Sequence, residues 1–404
     1  MPGRLSVTLN DHDLTVPPST VWTVEAEQPV SYSIKVSRNV LDPRNRALLN
    51  AGAPDTQPAK RRRFVVIDRE VHRLYGRLLR SYFDHHYVLC EVFVIDATEQ
   101  NKSLEAVASV VARMDDFGID RRREPVIAVG GGVLLDIVGL ATSLYRRGTP
   151  YIRVPTTLIG LVDAGVGVKT GVNFNGHKNR LGTYEAPVAA LLDRSFLKTM
   201  NRRHLSNGLA EILKIALVKD AVLFENLEAH GRLLLEESLQ GSSVQSETAA
   251  RTVLRRAVQG MLEELQPNLR ESKLERLVDY GHTFSPAIEM AALPDLLHGE
   301  AVALDMALTT EIAYRRGLVS STERDRVVAV MAALDLPVHH PTCIPDLLAR
   351  ALADTTRHRD GQQRLPLPRG IGDAVFVNDV TQDEIARAGA ALAILPGLTR
   401  DVDA

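Results

Sequence analysis

The chain has 404 residues, which at about 150 residues per domain predicts two domains or three. With 45% hydrophobic and 24% charged residues, it has the composition of a globular protein and not of a disordered one. Lys and Arg number 48 against 50 Asp and Glu, so a net charge of -2 gives no bulk attraction to nucleic acid or an anionic membrane.

The N-terminal MPGRLSVTLNDHDL has no apolar stretch of the signal-peptide kind, and no uncharged apolar run is long enough to span a membrane. Cys90 and Cys343 lie outside any CxxC pattern. Neither a disulfide framework nor a cysteine metal site is expected, and a reducing cytoplasm suits the chain.

Residues 1–29 carry Pro17, Pro18 and Pro29 and read as an extension with room for one short strand. YSIKVS (32–37) alternates as a strand does. Residues 51–63 form a loop that ends in Lys60-Arg61-Arg62-Arg63, a solvated basic cluster guarding the strand FVVID (64–68). Then come a helix over 70–83, a strand CEVFVID (90–96), and a helix over 104–114 capped by Ser103. PVIAVGGG (125–132) is a strand running into glycines; a helix over 134–147 and a strand YIRVP (151–155) follow. Strands separated by helices predict a parallel sheet covered on both faces.

Beyond residue 196 helical periodicity dominates, over 205–230, 246–264, 272–291, 297–316, 321–334 and 344–353. One strand (373–379) and a terminal helix (381–391) close the chain. The fold class is therefore α/β: a Rossmann-like parallel-sheet domain over 1–195, followed by a mainly α-helical domain over 196–404.

Three motifs carry chemistry. In GGGVLLD (130–136) a strand enters three glycines and then a helix, which lets backbone approach a phosphate at a helix N-terminus. It is not GxGxxG, and a plain βα turn would look the same. Asp68, at the end of an earlier strand, suits a ribose hydroxyl or a simple cap. The second motif, residues 154–182, packs Thr156, Thr157, Asp163, Lys169, Asn173, Lys178, Asn179 and Arg180 between glycines. It reads as a loop whose lysines need an anion, with phosphate the obvious one. The third is Glu211, His282 and His298, each in a predicted helix or at its start. One carboxylate and two imidazoles leave an open position on a divalent metal, although spacing alone does not separate ligands from core histidines. Lys214 shares a helix face with Glu211.

These motifs, with HKNRLG (177–182), GLAEILK (208–214), YGHTF and HGEAV in this order, resemble the sugar phosphate cyclases of the 3-dehydroquinate synthase-like family over residues 30–390. The resemblance implies an NAD-binding domain, a helical domain holding Zn2+ (or Co2+), and an active site in the cleft between them. It implies NAD contacts at Asp68, Glu99, Lys102, Gly131, Gly132, Val133, Asp136, Thr156, Thr157, Lys178 and Thr199. Glu211, His282 and His298 are implied as metal ligands. Asp163, Lys169, Asn179, Lys214, Glu271 and Asp279 are implied at the substrate, a small-molecule sugar phosphate. Arg147 is implied to reach the phosphate of a neighbouring subunit, which makes a cytoplasmic homodimer the expectation.

Departures from the family pattern suggest the substrate. Pro286 stands where dehydroquinate synthases carry a second histidine; Glu275 and Asp279 replace an arginine and an asparagine; Met261 and Thr355-Thr356 replace lysines. The loss of cations and gain of carboxylates predicts rejection of a carboxylated substrate tail. A sugar with phosphate at one end and hydroxymethyl at the other, sedoheptulose 7-phosphate, fits the expectation. A metal-dependent polyol dehydrogenase and a non-catalytic sugar-phosphate binder are the alternatives from other classes.

Overall fold

The computed structural model describes residues 4–10, 19–52 and 62–394. The chain divides into two compact units, Met1–Tyr32 and Ser33–Ala404. In the first, β1 (Arg4–Asn10) and β2 (Ser19–Glu25) pair antiparallel, with Arg4 opposite Glu25 and Asn10 opposite Ser19. The extension thus holds two strands where one was expected. Pro17 and Pro18 lie outside the described residues.

The second unit opens with β3 (Ser33–Ser37), the short helix α1 (Ala47–Asn50), β4 (Arg62–Asp68), α2 (Arg69–His85), β5 (Leu89–Ile95) and α3 (Leu104–Phe117). Next come β6 (Val126–Gly130), α4 (Gly132–Leu144), β7 (Tyr151–Pro155), the hairpin β8 (Lys169–Phe174) and β9 (His177–Tyr184), and β10 (Ala189–Asp193). Six strands form one sheet in the order β3-β10-β7-β6-β4-β5, parallel throughout.

The period of two sends alternate residues to opposite faces. Val65, Ile67, Ile127, Val129, Ile152 and Val154 pack with Leu79, Tyr82 and Phe83 of α2. Phe64, Val66, Val126, Ala128 and Tyr151 pack with Val107, Val110 and Met114 of α3 and Leu134 and Val138 of α4. Each buried Leu or Val contributes roughly 1.5–3 kcal/mol, which is why these runs are apolar throughout.

Arg62 and Arg63 of the basic cluster open β4 and are not solvated as expected. Arg62 pairs with Glu124 at 2.9 Å, and Arg63 is buried. Lys60 and Arg61 lie outside the described residues. The stretch read as a loop, 154–182, is a π-helical turn (Gly160–Ala164) followed by β8 and β9. Its glycines serve close approach: a Cβ on Gly182 would sit 2.1 Å from the Thr170 carbonyl oxygen.

Helices take over after Asp193: α5 (Arg202–Val218), α6 (Ala221–Glu236), α7 (Val244–Leu265), α8 (Ser285–Ala291), α9 (His298–Arg315), α10 (Ser321–Ala333), α11 (Pro345–His358) and α12 (Gln382–Ala393). Strands β11 (Leu365–Pro368) and β12 (Ala374–Val377) form a hairpin. The helix expected over 205–230 breaks where the Asp220 side chain caps α6 through Leu223 N–H. The one expected over 272–291 is mostly a turn. Gly281 has φ +74°, and Pro286 is confined to the first turn of α8. Among the described residues, no helix is long and apolar enough to cross a membrane.

Candidate active site

One cavity of about 1250 Å³ runs between the strand ends and the helices. Its first wall is built from backbone. Strand β6 ends at Gly130, Gly131 caps α4, and Gly132 starts it. A Cβ on Gly131 would lie 3.0 Å from Thr157 Cγ2, and one on Gly132 would lie 3.2 Å from Ala164 Cβ. Their service is close approach at a helix N-terminus, where free N–H groups face the cavity. The Thr156 hydroxyl is buried there without a hydrogen-bond partner. A cradle free of side chains and an orphaned hydroxyl fit the phosphates of a dinucleotide.

Asp68 and Lys102 support this wall. Asp68 Oδ1 accepts from the N–H groups of Glu70 and Val71, and Oδ2 from Ala97 N–H. It is the α2 cap and also lines the cavity. Lys102 is buried and donates to Asp136 Oδ2 and Asn179 Oδ1, both at 2.6 Å. Burial opposes its charge, but the Asp136 and Glu99 carboxylates win and its pKa is raised. Glu99 itself accepts from Asn173 Nδ2 at 2.8 Å.

The second wall is built from side chains. Glu211 on α5 is 1% exposed. His298, the first residue of α9, places Nε2 3.3 Å from Glu211 Oε1, and His282 places Nε2 3.7 Å from the same oxygen. The three ligand atoms lie within 4.8 Å of one another. Lys214 Nζ stands 2.5 Å from Glu211 Oε2, yet neither carboxylate oxygen makes a hydrogen bond of acceptable geometry. Two buried, unsatisfied oxygens facing two imidazoles fit a divalent metal.

The remaining ring nitrogens are fixed from behind. His282 Nδ1 lies 3.1 Å from the Tyr280 carbonyl and His298 Nδ1 2.9 Å from Glu289 Oε2. This is the outer-shell arrangement that sets a metal-binding tautomer. Burial, then the Lys214 ammonium, push His282 down to about 3. Burial and Lys178 also work against charge on His298, but Glu289 and Glu211 outweigh them and hold it at about 9. Glu289 also accepts from Lys178 Nζ, with both oxygens at 2.6 Å. Close contact between α5 and α9 makes the cluster possible. A Cβ on Gly299 would fall 2.0 Å from the Asn207 carbonyl oxygen, and Gly299 N–H donates to Asn207 Oδ1.

Between the walls runs a chain of charges. Glu271 is contacted by Lys169, Arg276 and the Tyr184 hydroxyl. Asp279 Oδ2 then accepts from Arg276 Nη2 at 2.8 Å and Arg359 Nη2 at 2.9 Å. Burial works against charge on Asp279, but the two guanidinium groups hold its carboxyl below the usual range. Asp163 lies 3.9 Å from Lys214 Nζ, and burial pushes its carboxyl up.

All the expected cofactor contacts line this cavity, as do Asp163, Lys169, Asn179, Lys214, Glu271, Asp279, His282 and His298. Glu211 lies behind it, buried against both histidines. His282 sits in a turn and not in a helix. Arg147 is exposed and does not line its own chain's cavity. The carboxylates expected at the substrate tail do not act as expected. Glu275 is exposed and does not line the cavity, and Asp279 is neutralised by Arg276 and Arg359. The cations missing at the family's positions are thus partly replaced from other positions. Met261 does line the cavity, whereas Thr355 donates to the Thr283 carbonyl and lies off it.

Sequence reasoning missed Glu289 and Arg359. A lone carboxylate in the apolar run SPAIEMA was a signal for Glu289. Arg359, 80 positions from Asp279, gave none.

A glycine-cradled helix N-terminus faces, across one cavity, a carboxylate–histidine cluster of the kind that can hold a divalent metal. Residues 92–207 match the 3-dehydroquinate synthase N-terminal family, and residues 208–357 the 3-dehydroquinate synthase C-terminal family. The chain belongs to the 3-dehydroquinate synthase family. It is 60% identical over 367 residues to a 2-epi-5-epi-valiolone synthase of Streptomyces albus, covering 91% of this chain and 89% of the relative. It is 39% identical over 371 residues to a demethyl-4-deoxygadusol synthase of Trichormus variabilis, with 91% and 89% covered. Among solved structures it is similar to ValA, the 2-epi-5-epi-valiolone synthase of Streptomyces hygroscopicus subsp. jinggangensis 5008 with NAD+ and Zn2+ bound. There the TM-score is 0.87 at 59% identity, over 92% of this chain and 99% of that one.

Proposed function

We propose that the chain converts sedoheptulose 7-phosphate into 2-epi-5-epi-valiolone and phosphate, the first step of a C7-cyclitol pathway. The observation that carries this is the single cavity joining the phosphate cradle, the Glu211/His282/His298 cluster and the cationic Lys169. The 60% identity to a synthase of that name supports the product. We read residues 1–195 as the cofactor domain and 196–404 as the metal and substrate domain, acting as a cytoplasmic homodimer.

Gly131, Gly132, Val133, Thr156 and Thr157 would hold NAD through its phosphates, with Asp68, Glu99, Lys102, Asp136, Lys178 and Thr199 around it. Glu211, His282 and His298 would hold zinc. When bound, NAD supplies a reversible hydride acceptor at carbon 5 and the metal a Lewis acid at the same carbon. Lys169 and Asn179 bind the substrate phosphate, with Arg147 of the partner subunit completing the anion site. Asp163, its carboxyl raised by burial, can hold a proton at the sugar, while Lys214 stays charged between Glu211 and Asp163. Phosphate leaves carbon 7 as a proton leaves carbon 6. Pro286 cannot be that base, and the substrate's own phosphate can take part of that role as it leaves. The ring opens and the carbon-7 enolate attacks the carbon-2 ketone. The sum is redox-neutral.

The test is one incubation of the zinc-loaded protein with NAD and sedoheptulose 7-phosphate. Stoichiometric phosphate, no net NADH, and the 2-epi-5-epi-valiolone spectrum by NMR are expected. Net NADH would instead mark a polyol dehydrogenase, and another cyclitol would reassign the product within the family.

A further inference from the structure

Arg153 is among the largest fully buried side chains of the protein, at 0% exposed. It lies on β7 at the centre of the sheet, beside Ala190 of β10 and Ala128 of β6. Among the described residues no carboxylate pairs with it. Its guanidinium instead donates to three carbonyls: Nη1 to Ala164 at 3.0 Å and Gly167 at 2.5 Å, and Nη2 to Lys169 at 3.0 Å. Nε has no partner, and the charge lies 5.4 Å from the ring centroid of Tyr151. A buried cation without a carboxylate is costly, so packing alone does not account for it.

The three acceptors share one property. All lie on one short segment, from the last residue of the π-helical Gly160–Ala164 to the first of β8. Asp163 immediately precedes the first acceptor, and Lys169 is the last. The end of a helical turn leaves carbonyls without partners. Here one planar fork takes three of them, from two nitrogens in fixed geometry. The backbone between Asp163 and Lys169 is thereby set from beneath. A lysine has three donors on a single nitrogen and a shorter stem, and cannot reproduce that span.

We propose that Arg153 is a positioning residue for the sugar-phosphate site, locking the 163–169 turn so that Asp163 and Lys169 meet the substrate at a fixed separation. This rests on the function proposed above only in naming the substrate. Small displacements of such groups are expensive, on the order of 10²-fold in rate for about 1 Å.

The test compares full-length, zinc- and NAD-loaded wild type with Arg153→Lys and Arg153→Gln, the second keeping amide donors without the charge. Amide hydrogen exchange, NAD affinity, inorganic phosphate affinity and steady-state kinetics are measured on each. Faster exchange confined to 164–169 is expected, with weaker phosphate binding, kcat lowered about 10–10²-fold, and NAD affinity unchanged. Wild-type kinetics and loop protection in Arg153→Lys would overturn the proposal. So would a loss shared equally by NAD binding and the protection of α5, which would mark a general structural role. If one variant fails to fold, the other decides. Wild type that releases no phosphate from sedoheptulose 7-phosphate would overturn the proposed function. Exchange and phosphate affinity would still judge Arg153.

Discussion

The two walls of the cleft are made differently. The strand-end wall offers main chain at Gly131 and Gly132, where a Cβ would press on Thr157 or Ala164. The helical wall offers side chains, Glu211, His282 and His298, each oriented by a further buried group such as Lys214, Tyr280 or Glu289. A backbone cradle recognises phosphate whatever the chemistry that follows. A side-chain cluster is specific to one chemistry and depends on every supporting contact. Substitutions should therefore do more damage on the helical side.

The strongest way to break the comparison is His282→Ala. Metal content should fall to near zero by elemental analysis, and turnover by at least about 10³-fold, since the Lewis acid is worth several kcal/mol. A full equivalent of metal retained at the site would remove His282 from the ligand set.

A second experiment adds the partner subunit. Arg147→Ala and Lys169→Ala should each be nearly inactive alone. Mixed at random, half the dimers are mixed and each regains one of two sites, so about one quarter of wild-type activity should return. No recovery in verified mixed dimers would mean that Arg147 does not act across the interface.

The middle of the cleft gives a smaller effect. Asp279 is held between Arg276 and Arg359 and does not simply repel anions. Asp279→Asn leaves Arg359 without its carboxylate and Arg276 with Glu271 alone. Turnover of the carboxylated heptulosonate phosphate, relative to sedoheptulose 7-phosphate, should rise about 10-fold, or about 1.4 kcal/mol. An unchanged ratio of kcat/KM values would show that this charge does not meet the substrate tail.

Charges at the periphery of the helical side should affect stability alone. Glu384 caps α12 through Thr381 and pairs with Arg316 at 2.6 Å, and these contacts, Arg316 first, lower its pKa from 4.5 to about 2. The carboxylate's contribution is complete above pH 4.5 and is lost as pH falls towards 2. Glu384→Gln should remove about 1–3 kcal/mol at neutral pH and flatten the acid limb of the denaturation profile, with kcat untouched. An acid limb identical to wild type would refute that assignment.

The sheet was legible because its strands are short apolar runs bounded by caps and glycines, as at Ser103 and Gly130. The β8–β9 hairpin was not. Its glycines look like a mobile loop until Gly182 is seen against Thr170. The nucleotide wall could be read locally, since a glycine run and its helix are contiguous. The metal cluster could not, because Glu211, His282 and His298 come from three elements, and the family resemblance was needed to join them. Glu275 shows the limit of carrying over positions: it sits beside Arg276 in the chain but points to solvent, while the countercharge to Asp279 arrives from Arg359.

Gly299 turns the Glu211/His282/His298 cluster into a problem of machining tolerance. With an Asn207 oxygen where a Cβ would stand, the missing methyl acts as the spacer that sets how far α9 lies from α5. Glu211 lies one turn along α5 from Asn207, and His298 precedes Gly299 in the chain. Any side chain at 299 would widen the gap between Glu211 and His298. The spacing of Glu211 and His298 is thus governed by a residue that carries no side chain.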